Sequence, residues 1–268
     1  RLEIPGGIYH VTSRGNNRAQ VFSGPADFNN FRARLITVVE DFGWRLHAYA
    51  LMPNHFHLLV ELTRPGLDSG MQRLLSGYAA WRNARTGQSG HVFQGRYGAK
   101  LCEEESYLLE LVRYIHMNPV RWGLVKHPSE WLWSSHRTYM GMAKDRWVAT
   151  EHVLERFGDT NDPERLARFE AFVMARVPER IAKQLAHTAR GAILGAPAFI
   201  EKVKQRAALP VRAADRDRSN RPSLERLVAC AAETTSLSPA EVLGSDKRDR
   251  CAEVRRAVVW LATKRFGY

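Results

Sequence analysis

The apolar positions of the N-terminal half switch period several times, and each switch marks an element. Residues 8–14, IYHVTSR, alternate well enough to predict a strand. Between Asp27 and Phe42 the apolar residues Phe28, Phe31, Leu35, Val38, Val39 and Phe42 fall at helical spacing, and Gly43 ends the run. Residues 44–51, WRLHAYAL, read as a strand again. Met52-Pro53-Asn54 then supplies turn chemistry, and residues 55–62 form the second arm of a hairpin. Residues 67–86 read as a helix and residues 92–102 as an irregular strand or hairpin bent at its glycines. A helix over roughly 104–118 follows, stopped by Pro119. The order β-α-β-β-α-β-α predicts an α+β fold, a mainly antiparallel sheet with helices packed on it.

After about residue 145 the pattern becomes helical, with no convincing strand in 150–208. Residues 210–222, PVRAADRDRSNRP, are polar and charged, a linker by composition. Residues 223–268 are helical again, and Ser238-Pro239-Ala240-Glu241 has the make-up of a helix start. The expected parts are therefore 1–145, 146–209, 210–222 and 223–268.

Charge narrows the partners. The formal net charge is +12 over 268 residues. A basic chain most often meets phosphate, in nucleic acid first and anionic membrane second, with plain solubility as the remaining reading. No run of about 18 apolar residues predicts a membrane span. Cys102, Cys230 and Cys251 are scattered and form neither a metal-type spacing nor a disulfide framework, which points to a reducing cytoplasm. The chain opens on Arg1 with no signal-like region, which reads as a trimmed start rather than a processed secretory protein.

Two stretches carry candidate chemistry. In HFHLLVEL, residues 55–62, strand alternation turns His55 and His57 to one face and Phe56, Leu58 and Val60 to the other. One face buries and the other is free to bind a cation, although an isolated H-x-H also arises by chance. In LVRYIHMNPVR, residues 111–121, Tyr114 and Asn118 are four apart and share a helix face, while His116 points nearly the opposite way. A phenol and a hard amide oxygen are thus offered together. Two imidazoles and one amide oxygen leave coordination positions for water and a phosphate oxygen, which suits Mg²⁺ or Mn²⁺, with the histidines tilting toward Mn²⁺. On helix pattern alone, the favoured reading of Tyr114 is an aromatic packed on the sheet.

HFH at 55–57, YIHMNPVRWGLV at 114–125, the opening GGIYHVTSRGNNR at 6–18 and WLWSSHRTY at 131–139 resemble, in this order, the HUH single-tyrosine transposases. The branch they are most similar to is that of the REP-associated tyrosine transposases. The resemblance spans roughly residues 1–145 and implies a ferredoxin-like HUH nuclease domain. It implies nicking and rejoining of single-stranded DNA beside imperfect palindromic hairpins. By the same resemblance Tyr114 is the nucleophile that leaves a 5′-phosphotyrosine and a free 3′-hydroxyl. His55 and His57 hold the divalent ion, and Asn118 stands where the family places its third protein ligand. Relatives outside this branch work as dimers that share active sites, so monomer and homodimer both stay open.

Further residues suit DNA handling. Arg14, Asn16, Asn17 and Arg18 form a loop-like run whose amides can read base edges and whose arginines can clamp phosphates. The resemblance implies recognition of a short guide sequence there. Gln94, Arg96, Tyr97 and Lys100 interleave charge with an aromatic surface fit for stacking unpaired bases, or belong to an ordinary exposed hairpin. Arg121, just past Pro119, is placed to meet a phosphate. Trp131 and Trp133 read as packing residues.

Residues 223–267 resemble the start of the DNA-binding domain of the bacterial replication initiator DnaA, in the SPAEVLGSDKR turn and the helix with Arg255 and Arg256. That domain normally continues into a helix-turn-helix signature, which this sequence does not reach by Tyr268. Either the chain is shortened or the region is a packing remnant, so duplex reading is in doubt and backbone contact through Lys247, Arg248 and Arg250 is what remains. The sequence thus reads as a metal-dependent DNA-nicking and strand-transfer enzyme with a helical extension. The alternatives are a non-catalytic DNA-binding regulator derived from a transposase and a zinc-structured RNA-binding protein.

Overall fold

The computed structural model describes residues 3–175, 193–208, 223–235, 237–244 and 249–260. The chain divides into two compact units, Arg1–Ala207 and Ala208–Tyr268.

The first unit is built on strands β1 (Ile8–Arg14), β2 (Trp44–Met52), β3 (His55–Leu62) and β4 (Gly98–Cys102). Helix α1 (Pro25–Phe42) joins β1 to β2, and helix α2 (Leu67–Thr86) joins β3 to β4. The sheet order is β2-β3-β1-β4, and each of these neighbouring pairs is antiparallel. This is the split βαβ, ferredoxin-like arrangement. A two-residue strand β5, Ile193–Leu194, continues the sheet parallel to β4. That strand corrects the all-helical expectation for 150–208, since two residues are too few to produce a period.

Local chemistry explains the boundaries. α1 starts with Pro25 in its first turn and ends at Gly43, whose φ of 63° gives the left-handed turn that glycine adopts without strain. Phe28, Phe31, Leu35, Val38 and Val39 of α1 are buried, as the spacing predicted. Phe31 stacks at a tilt on Phe56 of β3, with ring centroids 5.0 Å apart. α1 and α2 pack on each other, and α2 runs so close to the sheet that a Cβ on Gly70 would lie 2.3 Å from the Trp44 ring.

Helix α3 (Glu104–His116) packs against β2, β3 and β1. It does not run on to residue 118, and Pro119 does not stop it. A short helix α4 (Asn118–Arg121) follows with Pro119 in its first turn, where a missing N–H costs nothing. The expected strand over 92–102 also shortens to Gly98–Cys102; residues ahead of it are loop, tied to the end of β1 by a bridge between Gly15 and Phe93. Trp131 and Trp133 pack as expected: the Trp133 ring stacks on Phe28 at 4.7 Å, and the Trp131 indole N–H donates to the Leu51 carbonyl. Short helices α5 (His136–Tyr139) and α6 (Glu151–Leu154) and helix α7 (Arg165–Met174) complete this part, and α7 packs on α3.

In the second unit, Val228, Ala232, Val242 and Val258 form a small core. The helix start at Ser238 is a full capping box: Ser238 Oγ accepts from the Glu241 N–H, and Glu241 Oε2 accepts from the Ser238 N–H. The predicted linker 210–222, Lys247 and Arg248, and the side chains of Arg250, Arg255 and Arg256 lie outside the described residues. Among the described residues no helix is long and apolar enough to cross a membrane.

Candidate active site

Strand register assembles the site. β1 pairs with β3 so that Thr12 lies opposite His57 and Arg14 opposite His55. β4 pairs with β1 so that Lys100 lies opposite His10. Directly opposed residues share a face. His10, Thr12, Arg14 and Lys100 therefore stand on the same side of the sheet as His55 and His57. Phe56, Leu58 and Val60 are fully buried on the other side. β2 puts the small side chain of Ala50 opposite His57, on the face that α3 covers.

The two expected imidazoles are pre-oriented. His55 Nδ1 lies 2.7 Å from Asn54 Oδ1. Asn54 Nδ2 donates to the Arg18 carbonyl, so the amide is turned with its oxygen toward the histidine. His55 therefore carries its proton on Nδ1 and presents the lone pair of Nε2. His57 Nδ1 lies 3.0 Å from Nε2 of His10, and these two rings stack at 5.2 Å. With Nδ1 engaged, Nε2 is again the nitrogen left for a ligand. The His55 and His57 rings meet edge to face at 5.0 Å. Burial, reinforced by the Arg14 charge, lowers His55 to about 4, and burial first of all holds His57 well below the ordinary histidine range. Burial, with help from Lys100, lowers His10 to about 3. All three are neutral at pH 7, the state in which an imidazole can coordinate.

α3 brings Tyr114 over this face. Its ring stands edge to face with His57 at 5.6 Å and with His10 at 6.0 Å. The Arg121 guanidinium lies 4.9 Å above the same ring, while most of that side chain faces solvent. Asn118 is buried, and its Nδ2 donates to the Tyr114 carbonyl at 2.8 Å. That bond commits the amide nitrogen to the backbone and leaves Oδ1 as the atom available to a cation. Among the described residues no group of three or more His, Cys, Asp or Glu side chains is arranged to hold a metal. The side chains here whose chemistry could hold a divalent ion are the two neutral imidazoles of His55 and His57, with the Asn118 amide oxygen on the Tyr114 helix face as a third candidate.

The other expected residues divide. Asn16, Asn17 and Arg18 form an exposed 3₁₀ turn, in which Asn17 (φ 50°) and Arg18 (φ 59°) hold the left-handed backbone uncommon for such residues. Gln94 and Arg96 are exposed, and the Gln94 N–H donates to the Arg14 carbonyl, which sets that loop beside Arg14. Lys100 is half-buried next to His10. Tyr97 departs from expectation: it is buried, and its hydroxyl donates to Asp68 of α2, so it offers no open face for a base. His10 and Trp122 were not foreseen. His10 reaches the site through strand pairing, which no local pattern encodes. Trp122 follows Arg121 and sets its ring 5.2 Å from His55.

Residues 4–118 match the family model described as "Transposase IS200 like", a span that includes His10, His55, His57, Tyr114 and Asn118. The chain is 28% identical over 144 residues to the REP-associated tyrosine transposase of Escherichia coli (strain K12), covering 51% of this chain and 81% of that one. It is also similar to a solved REP-associated tyrosine transposase bound to a REP hairpin, at 21% identity and a TM-score of 0.46, over 60% of this chain and 92% of that one. The match over residues 4–118 and the likeness to the curated transposase support a DNA-transposase role for this chain.

Proposed function

We propose that residues 1–145 form a divalent-cation-dependent single-stranded DNA endonuclease and strand transferase that acts at REP-like hairpins through a 5′-phosphotyrosine. The observation that carries this reading is the place of Tyr114, edge-on to His57 at 5.6 Å and beneath the Arg121 guanidinium. The match of residues 4–118 to IS200-like transposases supports it.

In this mechanism the Tyr114 oxygen attacks the scissile phosphorus and the phenol gives up its proton. The bond from phosphorus to the 3′ oxygen breaks, and that oxygen leaves as a hydroxyl after taking a proton. The 5′ phosphate stays on Tyr114. Joining is the reverse: a 3′-hydroxyl attacks the phosphotyrosine, restores the phosphodiester and frees the phenol. Bond energy is conserved in the aryl phosphate, so no nucleotide cofactor is needed. A free phenol is ionised about one part in a thousand at neutral pH, so charge near the ring and on the phosphate matters. The Arg121 guanidinium supplies planar N–H donors for a phosphate oxygen beside that ring. His55 and His57, through Nε2, and Asn118, through Oδ1, are the residues that would hold Mg²⁺ or Mn²⁺. Such an ion, when bound, polarises the phosphate and neutralises its charge. Arg14, Asn16, Asn17, Arg18 and Gln94 form an exposed basic and polar rim at the end of β1 beside His55, suited to the unpaired flank of a hairpin, while Arg96 turns to Asp68 of α2.

The test is incubation with a hairpin oligonucleotide and Mn²⁺, read by denaturing electrophoresis. A DNA-linked protein band that is absent with Tyr114→Phe is expected. Binding of the hairpin with no such band would instead identify a non-catalytic regulator.

A further inference from the structure

Trp122 is 54% exposed, at the mouth of a site whose other rings are nearly all buried. Its indole rests at a 48° tilt against the His55 ring, 5.2 Å away, and the rest faces solvent. The backbone beneath it is held firmly. Its own N–H donates to the Asn118 carbonyl at 3.0 Å, the Gly123 N–H donates to Val120 at 2.9 Å, and the Leu124 N–H donates to Pro119 at 3.0 Å. Gly123, with φ of 68°, makes the turn that follows. The ring is thus an open aromatic surface carried on a hydrogen-bonded turn and resting against His55. Arg121, its neighbour in sequence, sets its guanidinium over the Tyr114 ring, and the His55 ring that Trp122 touches meets His57 edge to face.

We infer that Trp122 is the stacking platform for an unpaired DNA base adjoining the phosphate that Tyr114 attacks. This rests on the nicking reading above and adds a contact that fixes the substrate as single-stranded at that nucleotide. The physical case is direct. Every base has a π face, and an indole is a large π surface with little conformational freedom to lose. A base in a duplex is already stacked on both sides and cannot reach it. Arg121 and Trp122, neighbours in sequence, would grip the phosphate and the base of neighbouring nucleotides and hold the linkage in line with the tyrosine.

The experiment uses the full chain carrying Tyr114→Phe, so that binding is measured without covalent capture. The probe is a fluorescent hairpin oligonucleotide with unpaired flanks, read by anisotropy, together with versions carrying one abasic site at each flank position. Trp122→Ala and Trp122→Leu are expected to weaken binding about 5- to 100-fold. Leucine still covers His55 but cannot stack, and Trp122→Phe should recover most of the affinity. One abasic position should weaken the tryptophan-bearing protein by a similar factor and cost nothing more in Trp122→Leu. Equal affinities for Trp122→Leu and its parent, or the same abasic profile in both, would overturn the inference. A chain that shows this aromatic dependence yet forms no covalent band with Tyr114 present loses the nicking reading and keeps the platform. A chain that binds no single-stranded probe loses both.

Discussion

His57 and His116 are both buried imidazoles, and burial is the main reason each binds protons far less readily than a free histidine. They lie on opposite sides of α3 and in opposite situations. On the Tyr114 side, His57 uses Nδ1 on His10 and has Nε2 to spare. On the other side, His116 is spent at both ends: Nε2 meets Ser135 Oγ at 2.8 Å, and Nδ1 faces Nδ1 of His136 at 3.3 Å. Around it Tyr139 donates its hydroxyl to the His47 carbonyl, and Phe169 stacks on Tyr139 at 4.9 Å. Both clusters hold histidines and a tyrosine. Residue types do not separate the two clusters, and neither does a spare nitrogen, since His136 Nε2 is buried without a hydrogen-bond partner. What differs is access, because Tyr139 and His136 are enclosed whereas Tyr114 lies beside the exposed Arg121 and Trp122.

Paired alanine substitutions give the largest contrast. On the proposed mechanism His57→Ala is expected to lower covalent-band formation by at least about 100-fold, because the proposed cation site loses a ligand. His116→Ala should act on folding instead. It empties a fully buried site and removes one hydrogen bond of the Ser135 hydroxyl, which keeps the Tyr49 N–H and carbonyl as partners, a loss of about 2–4 kcal/mol. Urea denaturation of each variant beside its adduct assay separates the two effects. If His116→Ala kept its stability and lost the adduct, the division between the clusters would fail.

A smaller effect tests how His57 is held. His10→Ala removes the partner of Nδ1 and should weaken Mn²⁺ binding by about 10- to 100-fold. His10→Gln, whose amide can still meet Nδ1, should recover part of that loss. Calorimetric titration with Mn²⁺ reads both without relying on activity. Equal affinity for His10→Ala and the unaltered chain would mean that the strand alone orients His57.

How much of this was legible in the sequence follows from the range over which each feature is encoded. The facing of His55 and His57 comes from a strand's period of two, and the opposed faces of Tyr114 and His116 from a helix's 100° per residue; both are local and both were readable. The hairpin was readable because Pro53 and Asn54 are turn residues between two apolar runs. His10 was not readable, since its meeting with His57 depends on β1 pairing with β3 across 47 residues of chain. Tyr97 was misread for a related reason. Its neighbours Arg96 and Lys100 make it look like a surface aromatic, but Asp68 of α2, 29 residues away, claims its hydroxyl. Trp122 sits in a motif that was noticed, but the turn after Pro119 decides that its ring stays open, and a helix simply stopped by proline gave no such direction.

The mildest test of the contrast is pH, and it addresses the closed cluster. Burial, aided by the nearby His127, lowers His136 to about 4, and burial, aided by His136, lowers His116 well below the usual value. In the unfolded chain both titrate near 6.5. Above that pH neither state binds the proton and the clusters add no pH dependence. As pH falls from about 6.5 toward 4, the unfolded chain takes up protons that folded His136 refuses, so stability declines on the acid side. The slope is at most about 1.4 kcal/mol per pH unit for each such histidine. Urea midpoints at pH 7.5 and 5.5 should therefore differ, with the lower value at pH 5.5. His136→Gln removes one of these titrations while keeping a polar side chain of similar reach. It is expected to start less stable at pH 7.5 and to lose less on acidification. A variant that declined as steeply as its parent would show that His136 takes its proton in the folded state, and the cluster beyond α3 would then be open to solvent rather than closed.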